Sequence, residues 1–199
     1  MTQPRIEFWF DFASTYSYLS AMRLDTLARA ARIEVTWRPF LLGPIFAAQG
    51  WTSSPFNLYP AKGAYMWRDM ARLCEQRGLP FAKPAPFPQN GVLAARTAQL
   101  ALETPQGAAF CQAVYGAQFA KGHDIADPDT ICACLDQSGL PRDLINAALS
   151  DDNKARLRAS TEEAMARGIF GAPSFATGLE LFWGDDRLEQ ALDWATRHA

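Results

Sequence analysis

The sequence predicts a mixed α/β fold in which one small β-sheet is split by a large, all-helical insertion. Strand-like apolar runs occur only near the two ends of the 199-residue chain. The first two runs flank a helical stretch, and roughly a hundred residues of helical spacing separate them from the last two. A strand, a crossover helix and a second strand imply a parallel pair of strands.

The strands are predicted from apolar runs and from alternation. Ile6–Phe10 is an apolar run typical of a buried strand, and Ile33–Trp37 alternates apolar with polar residues. Ser174–Ala176 and Leu179–Phe182 form a second pair, joined by the short turn Thr177-Gly178. The two pairs are therefore expected to be the two halves of one sheet.

The helices are predicted from helical spacing and from residues that start or stop a helix. Asp127-Pro128 is typical of a helix start, and Gly78 is typical of a helix end. The predicted helices are Tyr18–Ala31, Ala61–Arg77, Gly91–Glu103, Pro105–Ala120, Pro128–Ser138, Arg142–Leu149, Asn153–Arg167 and Asp186–Arg197.

Composition argues against several classes of function. The formal charge of −2 disfavours a nucleic-acid partner. No apolar stretch approaches the ~20 residues that span a bilayer, and no secretory leader pattern precedes the first strand. We therefore expect a soluble, cytoplasmic protein without a membrane partner. The cysteines show neither Cys-x-x-Cys spacing nor paired histidines, so we expect reduced, structural cysteines and no metal site.

Ser14-Thr15-Tyr16-Ser17 follows the first predicted strand and leads into the first predicted helix, which begins at Tyr18. The start of a helix directs unpaired N–H groups and the positive end of its dipole at the turn, which suits a thiolate or another small anion. Two hydroxyl groups stand at the spacing that a dithiol motif gives its cysteines, so the anion must come from a bound partner. A simpler alternative is that Ser14 only caps the helix.

Four segments of the chain resemble a known enzyme family. They are Phe10–Leu19, Pro60–Asp69, Phe170–Ser174 and Phe182–Leu188. In this order, and over essentially the whole chain, they are similar to the 2-hydroxychromene-2-carboxylate isomerases, which group with the kappa-class glutathione transferases among the DsbA-like thioredoxin folds. The chain departs from the family pattern at Thr15, where a proline usually follows the first serine.

The resemblance implies a thioredoxin-like fold with a large all-helical insertion. Residues 1–44 and 169–199 would form a discontinuous thioredoxin-like domain, and residues 45–168 a helical domain that covers the glutathione site. The implied activity is a glutathione-dependent isomerisation between 2-hydroxychromene-2-carboxylate and trans-o-hydroxybenzylidenepyruvate, or a close aromatic analogue. It would pass through a transient thiol adduct and serve aromatic-hydrocarbon catabolism. The expected partner is a small aromatic substrate, and a homodimer is compatible with the sequence.

The resemblance also assigns glutathione contacts to individual residues. Ser14 is the implied catalytic serine, whose hydroxyl donates to the sulfur of glutathione. Lys62 would face the glycyl carboxylate, and Asn57 is a second candidate from the same region. Asp185 and Asp186 would receive the γ-glutamyl end, with Asp186 facing its ammonium group. A solvated lysine and two helix-capping aspartates are the alternatives.

Ala172-Pro173 stands where thioredoxin-like folds place a cis-proline. A cis bond would turn the backbone of Ala172 outward, to pair with the extended peptide of glutathione. The alternative is an ordinary trans proline at the start of a strand.

The substrate pocket is harder to assign from sequence. The aromatic residues expected to line it are Phe12, Tyr16, Phe40, Tyr65, Trp67 and Phe87. Aromatic residues at helical spacing are more often core residues, which is the alternative for each. His123 has a pKa range suited to proton transfer, but its Gly-rich segment is typical of a surface connection.

Two other functions stay open. A kappa-type glutathione transferase would use the same thiolate and release the conjugate. A non-catalytic glutathione-binding module would keep the site without turnover. A dithiol oxidoreductase is disfavoured, because Ser14 and Ser17 cannot form a disulfide.

Overall fold

The structure, a computed structural model, describes residues 3–198. The predicted domain limits at residues 1 and 199 therefore lie outside the described residues. The strands are β1 (Arg5–Phe10), β2 (Glu34–Pro39), β3 (Ser174–Thr177) and β4 (Glu180–Trp183). The α-helices are α1 (Thr15–Ala21), α2 (Leu24–Ala30), α3 (Leu42–Ala48), α4 (Pro55–Leu58), α5 (Pro60–Arg77), α6 (Val92–Ala101), α7 (Gly107–Tyr115), α8 (Pro128–Gln137), α9 (Leu144–Ala147), α10 (Asp151–Ala166) and α11 (Leu188–Arg197). Along residues 3–198, no helix has both the length and the apolar composition needed to cross a membrane.

One mixed sheet, in the order β2-β1-β3-β4, joins the two ends of the sequence. β1 and β2 are parallel, as the strand–helix–strand order predicts. β3 runs antiparallel to β1, with Ser174 opposite Trp9, and β4 completes the predicted hairpin. The last residues of β1 and the first residues of β3 therefore lie side by side, at the same end of these two central strands. This topology brings Ser14 and Pro173 together.

β1 is buried on both of its faces. Phe8 and Phe10 belong to the main core, where both rings make edge contacts with Trp37 of β2. Trp9 belongs to a smaller core on the opposite face and packs against Phe40. Burying an aromatic side chain of this size contributes roughly 1.5–3 kcal/mol to folding. The strand before the Ser14 turn is therefore firmly anchored.

The helical segment packs directly on this sheet. α7 contributes Phe110 and Tyr115 to the main core, and the π-helical turn Gly116–Ala120 that follows α7 contributes Phe119. The Tyr115 hydroxyl donates to the backbone carbonyl of Asp11 at 3.0 Å. This contact fixes the helical segment to the end of β1.

The structure corrects the predicted first helix. Tyr18–Ala31 is divided into α1 and α2, with the break at Met22 and Arg23. The guanidinium group of Arg23 binds the carboxylates of Asp185 and Glu189, which come from the far end of the chain. Local spacing cannot reveal a break that accompanies such a tertiary contact.

The structure also contains two helices, α3 and α4, in a segment that the sequence left unassigned. Each carries a proline within its first turn, Pro44 in α3 and Pro55 in α4. A helix tolerates proline there because the N–H groups of the first turn have no partner inside the helix. Both helices contribute to the cavity described below.

Candidate active site

A large cavity of about 1280 Å³ lies beyond the carboxyl end of the central strand β1. We call it the main cavity. The β1–α1 turn and the loop before β3 form one side, and the segment from Leu41 to Phe56 forms another. α5, the loop around Phe87 and the turn after β4 complete the lining. Both the sheet and the predicted helical insertion therefore contribute walls.

Ser14 lies in the wall of the main cavity as the N-cap of α1. Its Oγ accepts a hydrogen bond from the N–H of Ser17 at 3.2 Å and donates to the carbonyl of Ala172 at 2.8 Å. Thr15 is the first helical residue, a position that also suits proline. Ser17 is fully buried and does not line the cavity. The two serines of the motif thus have different surroundings, and of the two only Ser14 lines the main cavity.

The loop before β3 presents the backbone of Ala172 to the main cavity. The Ala172–Pro173 peptide bond is cis. The hydroxyl of Ser174 donates to the carbonyl of Gly171 at 2.8 Å, and the N–H of Gly184 donates to the carbonyl of Pro173 at 2.9 Å. These bonds hold the loop in place on both sides of Ala172.

Asp11 is a cavity residue that the sequence analysis missed. Its carboxylate accepts hydrogen bonds from the N–H groups of Ala13 and Leu42, each at 2.7 Å. Burial raises the pKa of Asp11, and the two N–H donors oppose that rise. The available signal was an acidic residue directly after a buried strand, three residues before Ser14.

The two aspartates of the turn after β4 have different roles. The Asp185 carboxylate is 3% exposed and binds the hydroxyl of Ser20 and the guanidinium groups of Arg23 and Arg77. Asp185 also lines the main cavity, and its carboxylate anchors the turn to α1 and α5. Its role at the γ-glutamyl end of glutathione stays a prediction. Asp186 is exposed at the cavity rim, and its closest cation is Arg187 at 3.7 Å.

Of the two residues assigned to the glycyl carboxylate, the structure places one in the main cavity. Lys62 is exposed and lines it, with its Nζ atom 4.9 Å from the centroid of the Tyr59 ring. Asn57 lies outside the lining, and its amide donates to Ser53 Oγ at 3.2 Å and to the carbonyl of Phe87 at 3.1 Å. Asn57 thus holds α4 against the Phe87 loop.

Two of the six aromatic candidates line the main cavity, Tyr16 and Phe87. The Tyr16 hydroxyl donates to Asp69 at 3.0 Å. Burial and the Asp69 carboxylate raise the pKa of Tyr16, which keeps its hydroxyl protonated.

The other four aromatic candidates lie outside the main cavity, which corrects that part of the prediction. Phe12 and Phe40 are buried in the two cores, because they adjoin the strand ends. Tyr65 is 63% exposed on the surface of α5. Trp67 packs between Phe81 and Phe87.

Five aromatic residues line the main cavity without having been predicted: Phe46, Trp51, Phe56, Phe170 and Trp183. The first three come from the segment that the sequence left without helices. The last two lie inside motifs that carry the family resemblance, which was the available signal for them.

The sequence model of the DSBA-like thioredoxin domain matches residues 5–194. The chain belongs to the DsbA-like thioredoxin family. It is 31% identical to the 2-hydroxychromene-2-carboxylate isomerase of Sphingobium xenophagum, over 92% of this chain and 94% of that protein. It is 27% identical to human glutathione S-transferase kappa 1, over 94% of this chain and 88% of the relative.

The solved structures agree with this placement of the DsbA-like chain. A structure of 2-hydroxychromene-2-carboxylate isomerase superposes with a TM-score of 0.86 at 26% identity, covering 97% of this chain and 95% of the other. The predicted thioredoxin-like fold is therefore confirmed. Within the DsbA-like family the protein is an enzyme of the isomerase group, related to glutathione transferases of the kappa class.

The main cavity of this DsbA-like enzyme is lined by no cysteine. Cys74, Cys111 and Cys134 are buried elsewhere, and burial raises the pKa of Cys74 and of Cys134 to about 11. The residues beside α1 can donate hydrogen bonds to an anion, but they cannot themselves exchange disulfides.

Proposed function

We propose that this protein is a glutathione-dependent isomerase that interconverts 2-hydroxychromene-2-carboxylate and trans-o-hydroxybenzylidenepyruvate, or a close aromatic analogue. The observation that carries the proposal is the meeting of Ser14 and Ala172, at 2.8 Å, in the wall of an aromatic-lined cavity of about 1280 Å³. The names of the isomerase relatives support the reaction. We place the enzyme in the cytoplasm, in aromatic-hydrocarbon catabolism.

The polar groups of the main cavity fit glutathione, a peptide with two carboxylates, one ammonium group and one thiol. Lys62 offers a cation for a carboxylate, and Asp186 offers an exposed carboxylate for the ammonium group. Ala172 offers backbone groups to an extended peptide, and the hydroxyl of Ser14 lies directly beside them. This set of charges would orient the thiol toward the start of α1.

Ser14 is the residue proposed to activate the thiol. When bound, glutathione supplies a thiolate that adds reversibly to a conjugated carbon of the substrate, so that the former double bond can rotate before the sulfur leaves. The Ser14 hydroxyl, which donates to Ala172 here, would turn its proton toward the sulfur. The first-turn N–H groups of α1 would add the positive end of the helix dipole.

The Ser14 hydroxyl and the start of α1 can together supply the free energy needed to lower the thiol pKa. A free thiol has a pKa of about 8.5, and lowering it by about two units corresponds to roughly 2.7 kcal/mol. One hydrogen bond to a charged group contributes about 1.5–3 kcal/mol. Phe46, Trp51 and Phe56 would exclude water from the opposite side of the site.

A kappa-type glutathione transferase is the second candidate, because the kappa relative aligns over 94% of this chain. The transferase would release a conjugate and consume glutathione. A glutathione-binding module without turnover is the third. Whether the enzyme forms a homodimer stays a prediction.

Ultraviolet absorbance of the two isomers tests the proposal directly. We expect equilibration of 2-hydroxychromene-2-carboxylate with its open-chain isomer at a rate set by trace glutathione, with the thiol concentration unchanged at the end. Stoichiometric loss of thiol would favour the transferase. Binding of glutathione without either reaction would favour the module.

A further inference from the structure

Two exposed aromatic side chains meet at the rim of the main cavity. Among residues 3–198, eight large apolar side chains are exposed, and only Phe170 and Trp183 of these line the cavity. They are 48% and 54% exposed, and their ring centroids lie 4.9 Å apart with the ring planes at 59°. We call Phe170 and Trp183 the rim pair. Leaving such apolar surface in water is unfavourable, so a ligand that covers it gains affinity.

The rim pair is fixed next to the reacting end of the cavity. Phe170 and Gly171 directly precede Ala172, and Trp183 is paired with Ser174 in the β3–β4 ladder. A Cβ atom added to Gly171 would lie 2.3 Å from Nε1 of Trp183. The indole ring therefore lies directly on the Gly171 backbone, which only glycine permits.

We propose that the rim pair binds the aromatic ring of the substrate and selects aromatic over aliphatic electrophiles. The proposal deepens the function proposed above and rests on it. Because two tilted rings offer a face and an edge, a planar ring can stack on one and contact the edge of the other. Ala172, which contacts Ser14, lies two residues after Phe170, and Trp183 is paired with Ser174, so a ring bound to the rim pair lies close to the thiol site.

The peptide of glutathione is a poorer occupant of the rim pair. Glutathione carries no aromatic ring, and its amides and charges need hydrogen-bond partners that ring faces do not supply. Its polar groups are matched instead by Lys62, Ala172 and Asp186. The rim pair belongs to the aromatic part of the cavity wall, and it is the part of that wall whose rings are exposed.

Titration calorimetry with 3-(2-hydroxyphenyl)propanoate tests the proposal without turnover, because this saturated probe cannot add a thiolate. We expect Trp183→Ala to weaken probe binding about five- to tenfold, the range that one aromatic contact supplies. Gly171→Ala should weaken it similarly, because the new methyl group displaces the indole. Trp183→Phe should bind nearly as the wild type does. Tyr65→Ala, which removes an exposed aromatic ring outside the cavity, should change nothing.

Measuring glutathione binding to the same variants distinguishes loss of the ring contact from general damage to the cavity. We expect the glutathione dissociation constant to stay within about twofold of the wild type in Trp183→Ala, Trp183→Phe and Tyr65→Ala, since the side chains that they change are not polar partners of glutathione. Unchanged probe affinity in Trp183→Ala would overturn the proposal. So would a wild type that does not bind the probe, or a loss confined to glutathione. Failure of catalysis alone would instead count against the proposed function, because probe binding needs no turnover.

Discussion

The carboxylate of Asp11 accepts a hydrogen bond from the N–H of Leu42 at 2.7 Å and thereby joins two walls of the main cavity. Its other oxygen accepts from the N–H of Ala13, directly before Ser14. One side chain thus ties the turn that carries Ser14 to the start of α3. We therefore expect Asp11 to help position the Ser14 hydroxyl.

Asp11→Asn should lower turnover roughly ten- to a hundredfold with little change in KM, because a misplaced Ser14 affects reaction more than binding. The variant also leaves one N–H facing an NH₂ group, which should cost about 1–3 kcal/mol of stability. Asp25→Asn is the matched control, since Asp25 accepts from Trp37 and Gln112 outside the main cavity. Steady-state kinetics and urea unfolding decide, and an equal loss of turnover in both variants would contradict a positioning role.

The same carboxyl group predicts a pH dependence of stability. Burial raises the folded-state pKa of Asp11 above its ordinary value of 3.8. The favourable contribution of Asp11 to the free energy of unfolding is therefore fully present below about pH 3.8, and it is lost as the pH rises through the folded-state pKa. The stability of the wild type relative to Asp11→Asn should fall as the pH rises through this window. Urea unfolding of both proteins at several pH values measures it, and a difference that grows with pH would reverse the sign.

Ser14→Ala should lower turnover by about one to two orders of magnitude while leaving the fold intact. Loss of the cap alone costs about 1 kcal/mol of stability. Ser150→Ala is the control for capping, because Ser150 caps α10 through the N–H of Asn153. Titrating the thiol of bound glutathione by its ultraviolet absorbance tests the cause. Full turnover with an unchanged thiol pKa in Ser14→Ala would show the assignment to be wrong.

Asp186→Asn should weaken glutathione binding by about 1–3 kcal/mol, because under the proposed function it removes the charge that would face the γ-glutamyl ammonium group. The loss should be far smaller for a glutathione analogue without that amino group. Asp193→Asn, at an exposed pair with Arg197 on α11, should leave both affinities unchanged. Calorimetric titration measures the four combinations. Equal losses for both ligands would mean that Asp186 serves only the turn.

Asp185→Ala should destabilise the fold by about 3–5 kcal/mol, because it leaves two largely buried guanidinium groups without their shared carboxylate. Asp136→Ala removes an exposed pair with Arg142 and should leave stability nearly unchanged. Urea unfolding compares the two variants. Similar small losses would show that Arg23 and Arg77 find other partners.

The parts of the fold that depend on local patterning were predictable from the sequence. β1, β2 and the long helix α5 have clear apolar spacing, and the order of the first elements gave the parallel pairing of β1 with β2. α3 and α4 were missed, since prolines near their starts resemble breaks when no tertiary context is known. Those two helices supply Phe46 and Phe56 to the aromatic wall, and the loop between them supplies Trp51.

Cavity residues were predictable where a hydroxyl, a charged group or a residue before a proline stands inside a family motif. Ser14, Lys62, Ala172 and Asp186 all line the main cavity. The ion pairs of Asp185 could not be predicted, because Arg23 and Arg77 are remote in sequence and only folding brings them to this carboxylate. The aromatic candidates depended on side-chain direction, which neither composition nor spacing determines at strand ends.

A cavity without cysteines has a consequence for when the enzyme works. Ser14 and Ser17 cannot be oxidised to a disulfide, and the buried thiols elsewhere carry little thiolate. Under the proposed function, the reaction rate therefore follows the concentration of reduced glutathione and is independent of the cell's redox potential as such. Oxidation of glutathione would slow this enzyme by depleting the free thiol, and restoring that thiol would restore the rate without reduction of any disulfide between Ser14 and Ser17.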